Sequence, residues 1–511
     1  MPPDPDVTRI RPITATLLGV LAVGLIHAWQ IPYSFSMSDE GFLWYGVQRV
    51  MQGEVPLRDF MAYDPARYYS AARLMGLAGD DGLLALRVAM LAFQAASVAI
   101  GLAVLAGVGG RREAVFAALL LGVWMVPYYK VHDQLAALLL LLALADLVRA
   151  PTAAACLRTG VAIGVAALIG RNHAAYGVFG ATLAAAWLAM TPPGRVAIRR
   201  GWAPGLAGLV LGISPLLAMC ALVPGFAVAF ADSVRFLFEF GATNIARPVP
   251  WPWQLRGRFV AHVTLPLLGT GITLLAIAAF VPASIVWVGL QRLRRRAVPP
   301  ALVSAACLAL PYAHYAFSRP DTVHAVLGVL PLLIGTLTIL AACRPVRRWL
   351  LAGGMAVLSL CATGPLHQAW QCERNPACAQ VEIAGSQFTV LPATRDEIAL
   401  LRHLATAYAP GRTPFIAVPF WPGAHALLGR RSALWEIYPL VDRAERTQIA
   451  EVARLRETKP GFAIIARFGV DWRMDTRFEV THAPIYRYIT EHFERRDDPT
   501  FPDLEIYRAR D

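Results

Sequence analysis

Residues 38–69 read SDEGFLWYGVQRVMQGEVPLRDFMAYDPARYY. The stretch follows at once on an apolar run, 13–31, and sets Asp39, Glu40, Asp59 and Asp64 beside Arg58 and Arg67. Carboxylates gathered where a helix leaves a bilayer are costly unless they face water, a partner or a substrate. The stretch therefore reads as the chemical part of an outer loop, 32–80, and the rest of the chain as the scaffold that holds it at a membrane surface.

The composition supports a membrane scaffold. Of 511 residues, 57% are hydrophobic and only 16% charged, against roughly 25% charged in an ordinary soluble chain. Eleven apolar segments of near-spanning length recur at 12–31, 83–107, 114–129, 132–149, 157–170, 174–190, 203–223, 262–290, 299–317, 323–342 and 347–364. The fifth and sixth are short and separated only by Arg171, Asn172 and His173, which is also how a broken helix pair reads. The first run is long for a signal peptide and lacks an A-x-A site, so it reads as an uncleaved span. Beyond 364 the chain becomes charged and proline-punctuated. The expected fold class is thus a polytopic α-helical membrane domain of about eleven spans, 1–364, followed by a small soluble α/β domain, 365–511.

The formal charge of +13 does not point to nucleic acid, because the basic residues sit in alternate short loops and no basic-aromatic platform accompanies them. Arg9 and Arg11 precede the first span, and Arg111–Arg112, Arg149 with Arg158, Arg195 with Arg199–Arg200, the 292–296 cluster and Arg344 with Arg347–Arg348 mark one side. That side is cytoplasmic by the positive-inside rule, and the C-terminal domain then lies outside, in the periplasm. Of seven cysteines, five lie in or beside apolar runs; Cys372 and Cys378 close a short polar loop, where an oxidising compartment favours a disulfide. The outer segment 224–260 holds an amphipathic helix, 226–240, and the aromatic run PVPWPW at 248–253, both suited to a membrane interface. In the tail, 394–408, 443–457 and 483–493 read as helices, 414–419 and 461–468 as strands, and 504–508 as an edge strand.

Candidate chemistry gathers on the outer face. Asp39 and Glu40 read equally as the acidic start of a helix over 41–51 and as a general base with its neighbour. Asp133, in YYKVHDQLA beside Lys130 and His132, opens the fourth span in the same two senses. Arg171 with His173, and Arg319 with Asp321 and His324, occupy outer turns, while Arg58, Asp64 and Arg67 flank the first loop. A lone arginine there is a snorkelling anchor; several converging with acids suit a phosphate, which arginine grips bidentately. A divalent cation, magnesium or manganese, could sit between such carboxylates and a phosphate, although no ligand spacing demands one.

The order of these features resembles the GT-C superfamily of membrane glycosyltransferases, which includes protein O-mannosyltransferases and lipid A aminoarabinose transferases. The resemblance rests on DE after the first span, on GEVPLRDF (53–60) and YDPARYY (63–69), and on the many spans and α/β tail that follow. It implies transfer of a sugar from a polyprenyl-phosphate donor to an envelope glycan, lipid or protein acceptor on the periplasmic face of a bacterial inner membrane. It also implies that Asp39, with Glu40 beside it, and Asp133 are the family's two acids, that Arg319, Asp321 and His324 match its late outer motif, and that direct displacement inverts the anomeric centre. No extended outer domain follows the middle spans, and YDPAR stands where many lipid-sugar transferases have PPL. Residues alone also admit a transporter or flippase of an anionic lipid-linked sugar, or a non-catalytic subunit of an envelope assembly. No inverted repeat and few mid-span ionisable residues speak against transport.

Overall fold

A computed structural model of the protein describes residues 11–240, 247–255, 260–373 and 375–510. Arg9 and parts of the 224–260 segment lie outside them. Fifteen helices come first: α1 Pro12–His27, α2 Asp39–Met51, α3 Ala66–Ala78, α4 Leu83–Val104, α5 Arg111–Val123, α6 Val131–Arg149, α7 Ala153–Ile169, α8 Arg171–Ala189, α9 Pro192–Leu222, α10 Phe226–Glu239, α11 Ala261–Leu293, α12 Pro300–Ser318, α13 Thr322–Gly328, α14 Leu330–Ala341 and α15 Pro345–Thr363. The tail adds α16 Ala369–Cys372, β1 Ala379–Ile383, β2 Ser386–Val390, α17 Pro392–Tyr408, β3 Ile416–Val418, α18 Pro422–Leu427, α19 Glu445–Thr458, β4 Phe462–Ala466, α20 Phe478–Thr481, α21 Ala483–His492, β5 Phe493–Arg495 and β6 Leu504–Ala509.

All eleven apolar segments are helical, but they are not eleven equal spans. Among the described residues seven helices are long and apolar enough to cross a membrane, or eight if α13 and α14, bent by 56° at Val329, act as one. The difference from eleven lies in α5, α7 and α8. Of these, α5 has 13 residues and α7 has 17, short of the roughly 20 a bilayer asks for, while α8 carries Arg171, Asn172 and His173 in its first turn.

The chain forms two compact units. The first comprises the described residues of Met1–Ile31, Arg87–Ala218 and Asn244–Trp370. Its centre is α6 and α12, whose apolar windows are 78% and 72% buried, while α9 and α15, at 17% and 22%, turn large apolar side chains outward as lipid-facing helices do. Helices α7 and α9 meet backbone to backbone: a Cβ on Gly160 would lie 2.0 Å from the Gly205 carbonyl oxygen, and one on Gly164 would lie 2.6 Å from that of Leu209. Small residues at helix crossings are how membrane helices gain dispersion contacts without a hydrophobic drive.

Between α5 and α6 the helical ladder stops, and the freed carbonyls need donors that lipid cannot supply. Four buried side chains provide them. His27 Nε2 reaches the Gly122 carbonyl at 2.7 Å and His367 Nε2 that of Val123 at 3.2 Å. Gln94 donates to Met125 at 2.6 Å, and Gln134 to Trp124 at 2.6 Å and to Val126 at 3.3 Å. These polar residues in apolar helices thus hold a broken backbone.

The second unit comprises Pro32–Leu86, Met219–Thr243 and the described residues of Gln371–Asp511, so the first outer loop, the amphipathic helix and the tail fold together. Its sheet has the order β3-β4-β6-β5; β3 and β4 are parallel, and β6 is antiparallel to both β4 and β5. The strand expected at the edge, 504–508, is therefore interior, because the short strand β5 covers its outer side. A hairpin, β1–β2, precedes the sheet and turns through Ala384 and Gly385, both at positive φ. Cys372 and Cys378 are joined by a disulfide. Helix α2 crosses α18 so closely that a Cβ on Gly41 would stand 2.3 Å from Gly423 Cα. Ser432 N–H donates to the Tyr45 hydroxyl at 3.0 Å, Trp435 Nε1 to the Leu57 carbonyl at 3.1 Å and Met61 N–H to the Trp435 carbonyl at 2.9 Å. On α10, the Phe236 ring lies 3.5 Å from the Arg443 guanidinium carbon.

Two expectations follow. Gln134→Leu leaves two buried carbonyls without their donor and should cost about 1–3 kcal/mol per orphaned group, read as a lowered unfolding temperature in detergent. In the second unit, burial pushes the Glu451 carboxyl up to about 7, opposed by the Trp435 N–H. The folded chain keeps this proton where the unfolded chain has released it, so stability falls as pH rises from about 4.5 through about 7. Glu451→Gln should therefore unfold at a higher temperature than the parent at pH 8 and at the same temperature at pH 4.

Candidate active site

The predicted site residues fall into both units. In the second unit Ser38 is the N-cap of α2 and Asp39 its first residue, so the DE pair stands at the positive end of the helix dipole. The two acids differ. Glu40 is fully buried, and its carboxylate accepts the Ser36 backbone N–H at 3.1 Å; Asp39 is partly exposed. Gly41 follows because α18 leaves no room for a side chain there.

The rest of the loop is densely paired. Arg58 grips Asp59 through Nε to Oδ1 and Nη2 to Oδ2, both at 2.8 Å, and donates to the Pro224 carbonyl at 3.2 Å. The Arg58 hydrogen bond holds the Asp59 carboxyl below its ordinary range. Asp64 and Arg67 are both buried, and the Arg67 guanidinium lies 5.2 Å from the centre of the Tyr63 ring. Tyr68 is wholly buried, and its hydroxyl oxygen accepts the Tyr63 N–H at 2.9 Å.

In the first unit the structure assembles a continuous polar chain across α6, α8 and α12. Asp133, in the first turn of α6, is 1% exposed; His173 Nε2 lies 3.0 Å from its Oδ1, and the Tyr315 hydroxyl donates to the same oxygen at 3.1 Å. If Nε2–H serves the carboxylate in neutral His173, Nδ1 is left to accept, and the Tyr312 hydroxyl stands there at 2.9 Å. The Tyr315 ring also meets His324 edge-on at 6.2 Å. His324 Nδ1 lies 2.8 Å from Asp321 Oδ1, Arg319 Nε lies 3.0 Å from Oδ2, and Asp321 caps α13 through the His324 N–H. Burial alone would raise the Asp321 carboxyl, but the hydrogen bonds and charge of His324 together with Arg319 hold it below its ordinary range.

The sequence-predicted Asp133, His173, Arg319, Asp321 and His324 are thus brought into one network. Lys130 immediately precedes α6, His132 is buried with its ring 4.6 Å from that of Phe93, and Arg171 starts α8, half-buried. Sequence reasoning missed Tyr312 and Tyr315. Their spacing of three on an otherwise apolar helix, in PYAHY, puts both hydroxyls on one face and was the available signal. Among the described residues, no group of three or more His, Cys, Asp or Glu side chains is placed to hold a metal ion.

This architecture has counterparts among solved structures. It is shared with ArnT from Cupriavidus metallidurans, solved bound to undecaprenyl phosphate, at a TM-score of 0.52 and 13% identity over 97% of this chain and 96% of that one. Two other solved structures match with TM-scores of 0.44. The Archaeoglobus fulgidus oligosaccharyltransferase in its apo form is 13% identical, over 98% of this chain and 74% of that one. The arabinofuranosyltransferase AftD from Mycobacteria is 15% identical over 99% of this chain, which spans 40% of AftD's length. No protein-family profile and no curated protein matches the sequence.

His173→Phe would leave the buried Asp133 without its ring donor, and such breaks cost about 3–5 kcal/mol. Tyr315→Phe removes one hydrogen bond and should cost about 1 kcal/mol. Thermal unfolding of the purified variants should rank them in that order.

Proposed function

We propose that this protein is a membrane glycosyltransferase that moves a sugar from a polyprenyl-phosphate donor to a glycan, lipid or protein acceptor on the periplasmic face of a bacterial inner membrane. What supports this most directly is the contrast at the start of α2, in a fold shared with a protein solved bound to undecaprenyl phosphate. Glu40 is buried on a backbone N–H, while Asp39 beside it keeps access to solvent.

In this reading Asp39 takes the proton from the acceptor hydroxyl as its oxygen bonds to the anomeric carbon. The bond from that carbon to the phosphate oxygen breaks, and its electron pair leaves with the polyprenyl phosphate. Displacement from the opposite side inverts the centre. A phosphate is a good leaving group, so the protein's part is to position the acceptor and to stabilise developing negative charge. Lys130, Arg171 and Arg319 are assigned the phosphate. Asp133 is assigned a positioning role, because His173 and Tyr315 already donate to it. The chain is oriented with its N-terminus cytoplasmic and its tail periplasmic, on the loop-charge argument.

The test is lipid and glycan profiling by mass spectrometry in cells expressing the parent chain, Asp39→Asn or Glu40→Gln at equal membrane levels. Asp39→Asn should lower transfer about 10²–10⁴-fold and let one lipid-linked sugar accumulate. Glu40→Gln keeps an acceptor for the Ser36 N–H and should retain most activity. An unchanged lipid pool in all three would favour transport or an assembly role instead.

A further inference from the structure

Far along the first unit's helices from the polar chain just described, the C-terminal ends of α4 and α14 meet the N-terminal ends of α5 and α15 around a small apolar cavity that opens to the surface. Leu102, Leu105, Phe116, Leu337 and Leu340 line it, and Trp349, 41% exposed, stands edge-on to Phe116 at 6.1 Å. The polar part of the lining is one ion pair, Glu113 with Arg348. Arg348 also donates to the carbonyls of Ala341 at 2.8 Å and Cys343 at 2.9 Å, so its guanidinium is anchored in place. Its Nε is buried and, among the described residues, has no hydrogen-bond partner. Around this anchored group the chain places Arg111 and Arg112 at the start of α5 and Arg344 and Arg347 at the start of α15, all four exposed.

Topology accounts for exposed arginines in a loop. It does not account for an apolar cavity beside them, or for an orphaned guanidinium N–H on a side chain that lines it. An empty apolar cavity forfeits dispersion contacts, and an acyl chain from the surrounding bilayer restores them. Arginine forks match phosphate oxygens in shape and charge, and basic pockets between membrane helices take anionic head groups. Five arginines against the single carboxylate Glu113 set the sign of the ligand.

We propose that this is a binding site for one anionic diacyl phospholipid, its phosphodiester held by Arg348 and the flanking arginines and one acyl chain lying along the apolar lining with part of its length in the cavity. The proposal is independent of whether the chain transfers a sugar.

Native mass spectrometry of the full chain in detergent tests it, with phosphatidylglycerol and phosphatidylcholine of identical acyl chains as probes. One phosphatidylglycerol should bind saturably and at least tenfold more tightly than phosphatidylcholine. Arg344→Gln/Arg347→Gln should erase that preference while phosphatidylcholine binding stays as it was. Ala352→Trp, which fills the cavity, should abolish the single tight phosphatidylglycerol with all five arginines in place. Ala117→Leu serves the same purpose if the tryptophan variant does not fold, as judged by its lipid-free unfolding temperature. Equal binding of the two lipids, phosphatidylglycerol adding without saturation, or a tight lipid retained in the folded cavity-filled variant would each overturn the proposal.

Discussion

A backbone that leaves the helical ladder inside an apolar bundle must find donors for its carbonyls within the protein. This constraint organises the first unit. The carbonyls from Gly122 to Val126 are met by His27, Gln94, Gln134 and His367, drawn from both sides of the break and from chain segments up to 244 residues away. The same break releases the chain so that α6 can start at Val131 with Asp133 in its first turn. A continuous helix through this region would leave Asp133 at mid-helix on a rotated face. The polar chain of Asp133, His173, Tyr312 and Tyr315 therefore depends on an interruption that four other side chains make tolerable.

The acids of the protein divide along the same physical line. Glu40 and Asp133 are buried, and each already accepts hydrogen bonds from fixed donors. Asp321 is held by a cation, a histidine and a helix N-terminus together. Asp39 differs in keeping solvent access at a helix start, where an ionised carboxylate is favoured without being enclosed. That contrast in exposure, rather than the presence of carboxylates as such, separates Asp39 from Glu40 and Asp133.

Much of the architecture is legible from hydrophobicity, because in lipid a spanning segment has to be both apolar and helical. All eleven segments read from the sequence are helices. Their standing as spans was harder to read, since a sliding apolar pattern does not register that α5 stops at Val123 or that α14 bends away from α13. In the tail the strands of Ile416–Val418 and Phe462–Ala466 were legible as short, fully buried β-rich runs. The β1–β2 hairpin was not, because its turn is Ala-Gly rather than the Asn-Gly or Asp-Gly that signals one. Around the site, motif spacing exposed Asp39, Asp133 and the Arg319–Asp321–His324 group. Tyr312, Tyr315, Gln94 and Gln134 stayed hidden, since an aromatic or amide side chain within an apolar run looks like part of the span.

By itself the sequence determined the membrane character, the helical segments, the side each loop favours and the acidic motif that opens α2. These follow from local composition, which acts over one helix length. The tertiary structure decided which of two adjacent carboxylates is buried, which aromatic hydroxyls meet Asp133, and that residues 32–86 fold with the tail rather than with the helices on either side of them in sequence. Those outcomes rest on contacts between segments hundreds of residues apart. The Gly41–Gly423 crossing and the Tyr45–Ser432 hydrogen bond are examples. Each exists only once both partners are in place, so neither leaves a pattern in the local sequence.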